Sequence, residues 1–88
     1  MHITIEPKAF YEIDSAIDEK IDVQNLSEYE INYIGSDGQP TLTSGYLTEG
    51  FILKPLDIFR VERKDLRKCW LYNAGHADVK VEIFEVLI

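Results

Sequence analysis

Eighty-eight residues supply one hydrophobic core and not two, and a chain this short buries only about 60% of its unfolded surface. A hydrophobic fraction of 45% with 11% aromatics excludes the disordered class, and a single cysteine excludes an internal disulfide or a cysteine-rich zinc site. The net charge of -7 argues against sequence-blind binding to duplex nucleic acid as the main role.

Taken in chain order, the strongest signal is period-2 alternation in short runs cut by turn residues. HITIE at 2–6 puts Ile3 and Ile5 on one side. PKAFYEIDSAIDEKI breaks the pattern: Phe10, Ile13, Ile17 and Ile21 fall at helical intervals behind Pro7, and Asp14, Ser15 and Ala16 are poor strand residues. A short helix over 8–19 is therefore a second reading of that stretch. IDVQNL at 21–26 then pairs Ile21 with Val23, and YEINYI at 29–34 sets Tyr29, Ile31 and Tyr33 against Glu30 and Asn32.

After the turn signals GSDGQP, Gly45, Glu49-Gly50 and KPLD, DIFRVER at 57–63 puts Phe59 and Val61 together. Cys69 and Leu71 share one face and Trp70 and Tyr72 the other, the loop NAGHAD follows at 73–78, and VKVEI aligns Val79, Val81 and Ile83. The end of the chain, IFEVLI, is apolar on both faces, which suggests that one of them meets another element or subunit. No repeat and no linker is visible. The expectation is a single all-β domain over 1–88, a small antiparallel β-sandwich of roughly six to eight short strands.

The residues that invite chemistry fail on context. A nucleophilic cysteine needs a base and a third group to orient it, and the Cys69/His76 spacing matches no such arrangement. The acids Asp14, Asp18, Glu19 and Asp22 lack the order and central glycine of a calcium loop. Asn25-Leu26-Ser27 has the form of a glycosylation sequon, but no basic segment followed by an apolar one opens the chain, so a secreted or membrane-spanning protein is not expected. Ser27 to Glu30 has capping-box spacing ahead of a run that alternates as a strand does. No metal, cofactor, small-molecule substrate or catalytic residue is assigned.

Charge is unevenly divided. Residues 1–44 hold nine acids and two bases, while 45–88 hold seven of each, five of the bases within RVERKDLRK at 60–68. That division makes Arg60, Arg63, Lys64, Arg67 and Lys68 candidates for docking on the acidic half of a neighbouring copy, with Phe84, Val86 and Ile88 of the last strand supplying apolar contact.

Residues 21–88 resemble small β-sandwich proteins of tailed-phage particles. The positions that carry the likeness are Val23, Gln24, Asn25, Ile31, Tyr33, Gly50, Leu53, Pro55, Asp65, Leu66, Trp70, Ala77, Val79 and Val81, and Leu56 departs from the pattern where glycine would close a turn after Pro55. The resemblance implies a non-enzymatic virion component, a capsid decoration, head-tail or tail protein. It would be assembled in the host cytoplasm, with copies of itself and other virion proteins as partners. Two other readings stand beside it: a carbohydrate-binding module, which needs Tyr46, Trp70 and Tyr72 as an exposed platform, and a small acidic regulator or inhibitor.

Overall fold

The computed structural model describes residues 1–13, 20–44, 47, 50–62 and 68–85. The alternating runs form eight strands: β1 (His2–Ile5), β2 (Phe10–Ile13), β3 (Lys20–Asn25), β4 (Ile31–Ser36), β5 (Phe51–Leu53), β6 (Ile58–Glu62), β7 (Lys68–Tyr72) and β8 (Val79–Glu85). They make two four-stranded sheets in the orders β1-β8-β3-β6 and β2-β7-β4-β5, and every pairing is antiparallel. Among these strands every connection but that from β4 to β5 passes from one sheet to the other. That connectivity is a jelly roll, a β-sandwich of the kind the alternation predicts.

Period-2 spacing decides what is buried. Ile21 and Val23 on β3, Ile31 on β4, Leu71 on β7 and Val79 and Val81 on β8 turn inward and form the core with Ile5, Ile13 and Leu53. Each contributes about 1.5–3 kcal/mol over an exposed position. Phe59, Val61, Cys69 and Ile83 pack against this cluster. Tyr29 stays outside β4, exposed in the loop before it.

The helix considered for 8–19 is corrected over its first half. Phe10–Ile13 is β2, paired with β7 in the register Phe10↔Tyr72 to Ile13↔Cys69, while 14–19 lie outside the described residues. The helical spacing is a coincidence of two environments. Ile13 belongs to the core, whereas Phe10 sits on the outer face of the sheet, edge-on to Trp70 at 6.2 Å and tilted against Tyr72 at 4.6 Å.

The absence of a visible repeat is also corrected, because the second half of the fold repeats the first at a spacing of 48 residues. Asn25 and Asn73 are both fully buried. The Asn25 amide donates to Tyr29 O (2.6 Å) and Leu53 O (3.1 Å), and the Asn73 amide donates to Ala77 O (2.8 Å) and Ile5 O (3.0 Å). Their side-chain oxygens accept from Ser27 N and Gly75 N, both at 2.9 Å. Lys8 N donates to Asn73 O as Leu56 N does to Asn25 O, at 2.7 and 2.8 Å. Across the forty aligned pairs, 1–40 on 49–88, only Pro7/Pro55, Lys20/Lys68 and Asn25/Asn73 are identical.

Candidate assembly surface

The two repeats build matching arches between sheets, Ile5 to Phe10 and Leu53 to Ile58. Each contains a proline followed by a residue with positive φ, Lys8 at 63° and Leu56 at 67°. Ala9 N donates to Glu6 O at 3.2 Å and Asp57 N to Lys54 O at 3.1 Å, which completes a type II turn in each arch. The turn after Pro55 thus forms without the glycine that the sequence pattern leads one to expect. Leucine in a left-handed conformation costs on the order of 1–2 kcal/mol.

The arches differ in what they show to solvent. In the first, Lys8 folds its ammonium back to donate to Ala74 O at 2.6 Å, and Thr4 is the exposed strand residue. In the second, the corresponding positions are Leu56, 68% exposed, and Ile52, 56% exposed, with Phe51 (66%) and Ile58 (54%) beside them. Leu26 and Tyr29 are exposed in the loop that Asn25 ties to this arch. Among the described residues, six of the eight exposed large apolar side chains belong to this arch, the strand ends beside it or the loop tied to it, which makes this end of the sandwich the best candidate for a contact. Behind it Tyr33 stacks on Phe59 of the opposite sheet at 4.1 Å and on Phe51 at 5.4 Å, giving the flank a rigid aromatic floor.

This flank was not singled out from sequence, and the residues that were lie elsewhere. Arg60 is on β6, its guanidinium donating to Asp22 at 2.9 and 3.4 Å, and Lys68 on β7 pairs with Glu12 at 2.9 Å. The two described bases of the basic run therefore meet acids of the first half within one chain. Arg63, Lys64 and Arg67 lie outside the described residues, as do Val86 and Ile88. Phe84 sits on β8, a central strand, at the edge of exposure and opposite Asp22 in register.

Cys69 and His76 are not brought together. Cys69 is near the start of β7 against the core, and the loop carrying His76 begins past Asn73, roughly 13 Å further along the strand. Burial pushes the Cys69 thiol up to about 11, so it is held protonated rather than as the reactive thiolate. The sequon asparagine has both amide hydrogens committed inside the fold. The aromatic platform of the carbohydrate reading is not assembled by its described members: Tyr72 is 0% exposed, and the Trp70 indole donates to Ser36 O at 3.2 Å. Tyr46 lies outside the described residues. Among the described residues no group of three His, Cys, Asp or Glu stands where it could share a metal ion.

No protein-family model and no curated protein sequence matches the chain. Two solved structures are similar over almost its whole length. One is a de novo designed double-stranded β-helix determined by NMR, 15% identical, with a TM-score of 0.70 over 98% of this chain and 96% of that one. The other is the crystal structure of PirA, 17% identical, with a TM-score of 0.69 over 98% of this chain and 92% of that one. At such identities the likeness shows the fold alone. The chain is a small all-β protein of two antiparallel sheets, similar in fold to these two structures.

Proposed function

We propose that the chain is a non-enzymatic structural module of a phage particle, acting through protein-protein contacts. The observation that carries this reading is the apolar flank at Phe51, Ile52, Leu56 and Ile58 on a rigid sandwich, a surface suited to docking rather than to chemistry. The phage-like positions support it as structural parts: Asn25 pins the arch to the loop, Pro55 opens its turn, and Gly50 takes φ 109° where a side chain would strike Tyr33 O. Two sheets with four edges among the described strands give many copies a means of adding to neighbours in a symmetric shell. Mass spectrometry of purified particles from the source phage or prophage tests the role. The chain should band with intact particles in a fixed ratio to the major capsid or tail protein, and recovery only in the soluble fraction would overturn the reading.

A further inference from the structure

The internal repeat provides a control for the apolar flank. Both arches make the same turn and the same asparagine bonds, yet the first presents Thr4 and Lys8 where the second presents Ile52 and Leu56. Exposed apolar side chains are therefore not a demand of the fold at these positions. Leucine is also a strained choice at φ 67°, where glycine would sit without cost. Within one chain the turn makes the Leu56 N to Asn25 O bond at 2.8 Å, a backbone bond that glycine would make equally well, so nothing in it calls for an exposed leucine side chain.

We propose that this flank is where a second copy of the chain docks, edge strand β5 against edge strand β5 about a two-fold axis. Among the described strands the edges are β1 and β6 of one sheet and β2 and β5 of the other. β1 carries His2, β2 Glu12 and β6 Arg60, whereas β5 is Phe-Ile-Leu, with nothing ionisable to deter pairing. The rim suits a self-complementary contact, since Lys54 and Asp57 flank Leu56 in one turn and a two-fold can set each against the opposite charge of the other copy. The six exposed side chains amount to on the order of 600 Å² per copy, at the lower end of what a specific interface buries. This inference rests on the exposure and the edge, and not on the virion reading: a dimer absent from particles would sink only the latter.

The salt dependence separates this contact from docking through the basic run. Two copies of charge -7 repel, so an apolar interface tightens as salt screens them, while a contact made of ion pairs loosens. Sedimentation of the purified chain from about 10 to 500 µM should show a monomer-dimer equilibrium that strengthens several-fold between ~0.05 and ~0.5 M NaCl. Ile52→Thr with Leu56→Lys, which copies the first arch, should stay monomeric throughout. Leu56→Gly, which relieves the turn, should keep its thermal transition and weaken dimerisation at least tenfold, so that loss of association is read in a folded protein. A wild-type chain that is monomeric at both salt concentrations, or an unchanged dimer in Leu56→Gly, overturns the proposal. So does a monomer that sediments with phosphatidylcholine vesicles, which would assign the flank to a membrane.

Discussion

Asn25 and Asn73 each hold three segments together through one buried amide: the end of their own strand, the loop that follows and the end of a strand in the other repeat. Removing either amide leaves one buried carbonyl, Leu53 O or Ile5 O, and one loop N–H, Ser27 or Gly75, without that partner, each worth about 1–3 kcal/mol. Asn25→Ala and Asn73→Ala should each lose ~2–4 kcal/mol in urea unfolding, and losses that differ by more than about twofold would contradict their equivalence. Sequence reading found Asn25 as a failed sequon and as one of the phage-like positions, and Asn73 only as the first residue of a loop, because neither the buried state nor the distant carbonyls leave a local mark. Cys69 was legible, since alternation with Leu71 places it inward. Its thiol, raised from 9.0 to about 11 by burial, titrates later in the folded chain than in the unfolded one. Stability from this group is thus full below pH 9 and is lost as pH rises towards about 11, by on the order of 2 kcal/mol. Urea midpoints at pH 8 and pH 11 should fall further for the wild type than for Cys69→Ala, and equal falls would remove the thiol from the account.

At the scale of elements, legibility followed run length and the number of faces a strand buries. β3, β6 and β8 read cleanly because five or more residues alternate over one buried face. β2 read ambiguously because its outward Phe10 is half-buried against aromatics instead of facing water, so its apolar residues do not keep a period of two. β5 has three residues, too few for any period, and the sequence shows only the turn signals on either side of it, Glu49-Gly50 and KPLD. That glycine does more than turn the chain. At φ 109° a Cβ would lie 2.7 Å from Tyr33 O and 3.1 Å from the Ile34 Cβ, so β5 can reach its register with β4 only if position 50 has no side chain. Gly50→Ala should destabilise the fold by about 2 kcal/mol or more and quench the environment of the Tyr33-Phe59 stack, visible as lost near-ultraviolet dichroism. A variant with wild-type stability would mean that β5 can shift without loss, and the apolar flank would then not be a fixed surface.

Across the whole molecule, the repeat and the charge division describe the same boundary. Every pairing among the described strands joins one of β1–β4 to one of β5–β8, so no two described strands of the same half are hydrogen-bonded to each other. The half with nine acids and two bases is thus laced, strand by strand, to the half in which charges balance, with Asp22 to Arg60 and Glu12 to Lys68 spanning the seam. Those exposed pairs add little free energy, and the seam is held by the core that both halves line. Alternation cannot reveal this, because it reports which face of a strand is buried and not which strand lies beside it. A direct consequence is that two fragments cut in the β4–β5 connection, 1–44 and 45–88, should each be unfolded alone, since a single unpaired set of strands has no partner for its backbone. Mixed, they should regain the β-sheet circular dichroism of the intact chain, slowly, because every pairing must form between distant residues. Neutralising the acidic half by added salt should speed recombination only modestly, as one partner carries no net charge to attract or repel the other. A sheet spectrum from either fragment by itself would show pairing inside a repeat and would contradict the interlaced arrangement.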